Sequence, residues 1–217
     1  MRTTVAALAV VLLTLTTPSV VRANGHASTA PAAAASATID RAAFHDAMRK
    51  LWEDHVTWTR LYIVSAVAGL PDAQATAERL LRNQVDIGDA IKPFYGDAAG
   101  ERLASLLRPH ILIAAELVTA AKAGDDAVVQ SASTRWYANA DEIADFLSGA
   151  NPDHWPSAAL RAEMHHHLEL TLEEAQARLR ADWTADIAAY DNVHQHILGM
   201  ADVLSQGIVR QFPQRFN

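Results

Sequence analysis

The chain has 217 residues, half of them hydrophobic, with a formal charge of −7 and no cysteine. This length suits one sizeable core better than two. An acidic chain lacks the basic surface that drives binding to nucleic acid or to anionic lipid, so we expect neither partner. Without cysteine there are no disulfides and no thiolate ligands, so any metal site must use His, Asp, Glu, Asn or backbone oxygen.

Residues 1–23 have the features of a secretory signal. The apolar run at 5–15 is too short to span a bilayer, and small residues that suit signal peptidase follow it. Residues 24–38 are rich in Ala, Ser, Thr and Pro, which is typical of a disordered spacer. Cleavage would leave 16 basic and 25 acidic residues, a formal charge of −9. We expect an exported protein whose residues 39–217 form one domain.

The first predicted hairpin begins at Asp40, a plausible N-cap. Apolar positions then recur at three-and-four spacing up to Gly69, with His55 among them. A second helix starts at Asp72 and carries Asn83 on its apolar stripe. The turn between the two is too short for anything but an antiparallel pair.

A second predicted hairpin follows the same plan. Asp97 is predicted to cap helix 3, which carries His110 and ends at Gly124. Helix 4 starts directly after that glycine, carries Asn139 on its stripe, and stops near Gly149.

The last third of the chain is predicted to hold two helices of unequal length. Ser157 opens a shorter helix 5, which includes His166. Residues 171–174, Thr-Leu-Glu-Glu, match a capping box, so a long helix 6 is predicted from Leu172 to about Val209, with Asp191 and His194 toward its inner side. No segment alternates β-branched residues. The predicted fold is therefore an all-α antiparallel bundle: two repeated hairpins, a shorter helix and a long C-terminal helix.

The two hairpins also predict an internal repeat. His55 and His110 each lie fourteen residues before a glycine, and the alignment pairs Asn83 with Asn139. It also pairs Asp86 with Glu142. A third copy that starts at His167 can be aligned, but the missing glycine and the capping box argue against it. At 1.5 Å per residue, the two histidines and two asparagines should share one polar layer about 21 Å from the turns.

This layer predicts a transition-metal site, because helical bundles build such sites from inward-facing His and carboxylate side chains. Imidazole with carboxylate suits copper or zinc, with iron possible, rather than calcium or magnesium. Asn83 and Asn139 would orient the ligands. The candidate metal ligands are His55, His110, His166, His194, Asp86, Glu142 and Asp191.

Two other interpretations remain open at this stage. Each histidine could be a neutral core residue bonded to the asparagine of the neighbouring helix, so that the layer only fixes helix register in a structural or interaction module. An enzyme is the third possibility, but the chain has no nucleophile elbow, dinucleotide turn or His-Glu-x-x-His helix. We therefore expect a protein that binds a metal ion or small ligand rather than a catalyst, in an oligomeric state that is left open.

Several segments resemble a family of small exported bacterial all-helical proteins of unestablished function. Some members are labelled glycosyltransferases, which implies a nucleotide-sugar site. This chain has neither an α/β pattern nor the glycine-rich turn of such a site. The resemblance implies an exported helical protein and extends over nearly the whole mature chain. It rests on residues 51–60, 82–88, 90–96, 110–116, 135–141 and 190–198.

Overall fold

The computed structural model describes residues 38–217, and the predicted signal and almost all of the spacer lie outside them. This part of the chain folds into six α-helices and a final 3₁₀ turn, so the all-α prediction is confirmed. The helices are α1 Arg41–Ala68, α2 Ala73–Tyr95, α3 Asp97–Ala123, α4 Asp126–Ala150, α5 Ser157–Leu179 and α6 Trp183–Gln211.

The six helices form a closed ring of neighbours. Each helix packs antiparallel against the next one along the chain, and α6 returns to pack against α1. The first helix also contacts α3 and α5. The odd-numbered helices therefore bring one face each toward a shared interior, which is where the site lies.

Local sequence sets several ends of the first four helices as predicted, although no side-chain cap forms at the start of α2 or of α3. The Asp40 and Asp125 side chains accept hydrogen bonds from first-turn amides of α1 and α4. Gly69 and Gly124 take the left-handed conformation that ends α1 and α3, with φ of 69° and 73°.

The predicted boundary between helices 5 and 6 is wrong. Helix α5 runs unbroken through Thr171, whose hydroxyl donates to the His167 carbonyl at 2.8 Å, so this threonine does not cap a helix starting at Leu172. The chain turns instead at Ala181, which takes a left-handed φ of 57°, and the Asp182 side chain caps α6. Helix 5 is therefore a full partner of α6, with 23 residues against 29.

The first half of α6 also buries a different face from the one predicted, with Asp191 exposed, whereas Ile197, Ala201, Leu204 and Ile208 in its second half are buried. Trp183 and Ile187 are exposed, whereas Asp186 between them is buried. Arg60 donates to both carboxylate oxygens of Asp186 and to Glu174, the last at 3.0 Å. Arg178 adds a hydrogen bond to Asp186 at 3.2 Å. An ion-pair cluster thus joins α1, α5 and α6, because a carboxylate is buried only where partners compensate its charge.

Of the described helices, α3 is long and apolar enough to cross a bilayer by length and composition. Leu103, Leu107 and Leu117 on this helix are buried inside the bundle. Core packing therefore accounts for its apolar composition.

A close contact between α6 and the loop before α5 gives a first testable prediction. A Cβ added at Gly207 would overlap the buried indole of Trp155, whereas one added at Gly199 on the same helix would meet nothing. We expect Gly207→Ala to lower the free energy of unfolding by about 1–3 kcal/mol, by overpacking. Urea denaturation measures this change.

The matched control is Gly199→Ala, which should be neutral or stabilise α6 by about 0.5–1 kcal/mol. Equal effects of the two substitutions would contradict the packing account.

Candidate functional site

Three buried histidines meet at one internal cavity. His55 of α1, His110 of α3 and His167 of α5 line a space of about 30 Å³, and each is 5% exposed or less. The ring centroid of His167 lies 5.7 Å from that of His55 and 6.3 Å from that of His110. The space could hold roughly one or two water molecules, or one ion.

The same hydrogen bond positions a neighbouring helix at each of the three histidines. A side chain on the following helix donates to the carbonyl of the residue four positions before the histidine, which ties each hairpin together at the level of the cavity. The pairs are Asn83 with Leu51 at 3.0 Å, Asn139 with Leu106 at 3.1 Å, and His196 with Glu163 at 3.2 Å.

The spacing along the chain is also the same for the three histidines, which form the three corners of the cavity. His55, His110 and His167 each lie fourteen residues before a left-handed residue, which is Gly69, Gly124 and Ala181 respectively. Equal spacing from the turns explains why the three rings reach one level.

Asn139 determines which nitrogen of His110 carries the proton. Its amide nitrogen is used on the Leu106 carbonyl, so its oxygen is left to accept the Nδ1–H of His110 at 3.0 Å. The Nε2 atom of His110 then keeps its lone pair. That is the state in which an imidazole can bind a metal ion.

All three rings are held uncharged by their surroundings. Burial, with a smaller contribution from His110, lowers the pKa of His55 to about 3, although its hydrogen bond with Asn83 acts in the opposite direction. Burial also lowers the pKa of His110 to about 4, against the effect of its Asn139 bond. The pKa of His167 lies well below its usual value because of burial and then the nearby histidines.

His167 differs from the other two in having a nitrogen without a partner. Its Nδ1 is buried and makes no hydrogen bond to the described residues. The residue that occupies the place of the asparagine is His196, whose Nε2 is spent on a backbone carbonyl. An unpartnered buried polar atom is costly, so this one needs an explanation.

The rest of the cavity wall offers little to a polar ligand. Leu80 and Ile111 line it with apolar surface, and so does the indole of Trp136, whose Nε1 is buried without a hydrogen-bond partner among the described residues. The Thr59 and Thr171 hydroxyls also face this region, but both donate to the carbonyls of the histidines one turn earlier, at 2.8 Å. Apart from the Tyr62 hydroxyl and the Trp136 indole N–H, the imidazoles are the polar side-chain groups of the lining that remain for a bound species.

Five of the ligands predicted from the sequence lie elsewhere. His194 is on the surface, 3.0 Å from the Glu53 carboxylate. Asp86 directly precedes the buried Ile87, and Glu142 directly precedes the buried Ile143. Successive side chains on a helix point about 100° apart, so each carboxylate points about 100° away from its isoleucine. The exposed residues are Asp86, Glu142, His166 and Asp191.

These positions correct the predicted ligand set, since only His55 and His110 of its members reach the cavity. Within residues 38–217, no three His, Asp or Glu side chains stand in positions that would hold a metal ion without adjustment. His167 and His196 were missed. The fourteen-residue spacing of His167 from the α5–α6 turn was the signal that could have identified it, but an alanine rather than a glycine forms that turn.

Comparison of the chain with protein-family models, curated proteins and solved structures gave no significant match. The resemblance described above stays a prediction. The geometry of the cavity is therefore the basis for any functional proposal.

The buried imidazoles predict a specific dependence of stability on pH. A depressed pKa in the native state means that the unfolded chain binds protons first, so the stabilising effect is full above pH 6.5 and is lost as the pH falls. We expect protonation of His55 and of His110 each to cost about 2–3 kcal/mol of unfolding free energy between pH 6.5 and 4.5. Urea unfolding across this range measures the change.

Glu174 opposes this trend and supplies the control. Burial raises its pKa to about 7, so its contribution favours the folded state at lower pH and is lost as the pH rises through 7. His110→Gln should flatten the loss of stability on acidification, and Glu174→Gln should steepen it. Parallel pH profiles for the two variants would contradict these assignments.

Proposed function

We propose that this protein binds a single transition-metal ion through His55, His110 and His167. The observation that carries the proposal is the convergence of three buried, uncharged imidazoles on one small cavity, one of them with an unpartnered nitrogen. A metal ion would give that nitrogen the partner that the protein withholds. Export, as predicted from the N-terminal residues, would put this binding outside the cytoplasm.

The spacing of the rings is close to that of a shared ion. With metal–nitrogen bonds of about 2.1 Å, three imidazoles around one ion have ring centroids about 5.2 Å apart. The two separations from His167, 5.7 and 6.3 Å, exceed this by about 0.5 Å and about 1.1 Å. Binding therefore requires the rings to move inward, which small rotations of the side chains can supply.

The donor set favours zinc or copper. Three neutral nitrogen donors without a carboxylate suit these ions, whereas calcium and magnesium need oxygen ligands. The asparagine at His110 would hold that ring as a metal ligand in the correct tautomer. What the ion would add is a positive centre in an apolar space, with a coordination position left for a small fourth ligand.

Replacement of His167 by leucine tests the proposal most directly. This histidine makes no hydrogen bond through Nδ1, so a leucine of similar size should leave the bundle folded. We expect the untagged chain to bind one equivalent of Zn²⁺ or Cu²⁺, and His167→Leu to weaken the binding at least about 100-fold. Calorimetric titration against a chelator of known affinity gives both values.

The control is His194→Gln, which alters a surface histidine that pairs with Glu53 and should leave the affinity within about twofold. Saturating metal should also raise the free energy of unfolding of the unmodified chain by about 2.7 kcal/mol at one hundred times Kd. Retention of no ion by the unmodified chain, or equal affinity in His167→Leu, would refute the proposal.

A second candidate function is the structural module, favoured by one specific observation. The side chain-to-carbonyl bonds of Asn83 and Asn139 are those of buried polar pairs that fix helix register. On this account His110 and Asn139 stabilise packing and bind nothing.

A double-mutant cycle measures how far that account goes. Asn139→Leu leaves the His110 Nδ1–H without an acceptor and should cost about 1–3 kcal/mol. The double substitution with His110→Leu removes both polar groups and should recover part of that loss. If the layer is only structural, the double variant regains part of the lost stability and its metal affinity equals that of the unmodified chain. If the layer binds metal, the double variant regains that stability but loses metal binding.

A further inference from the structure

A column of imidazoles leads from the surface to the buried cavity. The ring centroid of His166 lies 4.8 Å from that of His196, which lies 6.2 Å from that of His167. His167 in turn lies beside His55 and His110. Five histidines therefore follow one another without a gap.

Exposure falls steadily along this column. The side chain of His166 is 55% exposed and that of His196 is 11% exposed, whereas His167 is buried. The outer part alone is therefore open to a solute, and the inner part opens onto the cavity.

Carboxylates stand beside the outer two rings. A Glu169 oxygen lies 3.6 Å from His166 Nδ1, and a Glu163 oxygen lies 3.7 Å from His196 Nδ1. Negative charge at a partly exposed opening raises the local concentration of cations. Imidazole and carboxylate together offer a divalent transition-metal ion successive pairs of ligands.

His196 is where the third corner departs from the other two. Asn83 and Asn139 make the equivalent backbone hydrogen bonds, so an asparagine would serve the packing of α6 as well. The imidazole keeps that bond to the Glu163 carbonyl and also places its ring parallel to His167, with an interplanar angle of 16°. Helix packing does not require this second feature.

Another opening competes with the column. Tyr62 lines both the cavity and a wide outer groove, which is also bordered by Glu116 and Asp125. Those two acids are engaged, one with Arg135 and the other with the first turn of α4. The groove has no imidazole on its wall, so it offers a metal ion no sequence of ligands to follow.

We propose that His166 and His196, with the Glu163 and Glu169 carboxylates, capture a divalent transition-metal ion and pass it to His167. This inference rests on the proposed function. Each transfer step needs only two protein ligands to the metal ion at a time, so the column needs no permanent site of three ligands. The ion keeps its charge throughout, and hydration water fills the positions that each ligand releases.

Stopped-flow kinetics with Co²⁺ or Cu²⁺, followed by absorption, test this route. His196→Asn installs the side chain that the other two corners use, and His166→Gln alters an exposed position that packing does not depend on. We expect both to slow association and dissociation by at least about tenfold while the equilibrium affinity stays within about threefold. Equal slowing in both directions is the signature of a pathway rather than of a lost ligand.

Val128→Trp, which narrows the groove at a residue that does not line the cavity, is the matched variant for the competing opening. The proposed route predicts rates within about threefold of the unmodified chain, whereas access through the groove predicts marked slowing here and no effect of His196→Asn. Normal rates in both histidine variants, with affinity still dependent on His167, would overturn the route alone. Failure of the unmodified chain to bind either ion would overturn the binding proposal itself, and the route with it.

Discussion

The neutrality of three buried imidazoles is the constraint on which this bundle depends. A proton on His55, His110 or His167 would place an unpaired charge in an apolar cavity, and the hydrogen bonds of Asn83 and Asn139 offset only part of that cost. The side chains that touch these corners also donate to the backbone of the histidine helices. Helix register and the protonation state of the site therefore follow from one set of contacts, and a change in either would be felt in the other.

Much of the fold could be predicted from local chemistry. Side-chain caps begin α1 and α4 at Asp40 and Asp125, and left-handed glycines end α1 and α3 at Gly69 and Gly124. Each residue type favours the role it has here. The turn between α5 and α6 could not be predicted this way. Ala181 takes a left-handed conformation there that disfavours a residue with a Cβ, and the packing of α5 on α6 overrides that local preference. The Thr-x-x-Glu pattern at 171–174 was misleading for a related reason, since a buried helical threonine can satisfy its hydroxyl on the preceding turn.

The site was predictable in part. The apolar stripes placed His55 and His110 toward the interior, and equal distance from the turns placed Asn83 and Asn139 beside them. The carboxylates were misplaced because successive side chains on a helix point about 100° apart. Ile87 faces inward, so Asp86, one residue earlier, does not. His194 fails for the same reason beside Val193. Sequence spacing locates a level along a helix well, whereas the direction of a side chain depends on how the helix is rotated in its final packing.

The third corner decides between a core that only packs and a core that binds. At His110 the asparagine satisfies the ring and the backbone together, and the corner is complete. At His167 the equivalent residue is His196, which leaves a nitrogen unsatisfied at a cost of about 1–3 kcal/mol. At this corner a histidine, His196, stands where the other two corners have asparagine. The unpartnered Nδ1 of His167, the parallel ring of His196 and the acidic surface all lie here. A function beyond packing would require such a difference at this corner.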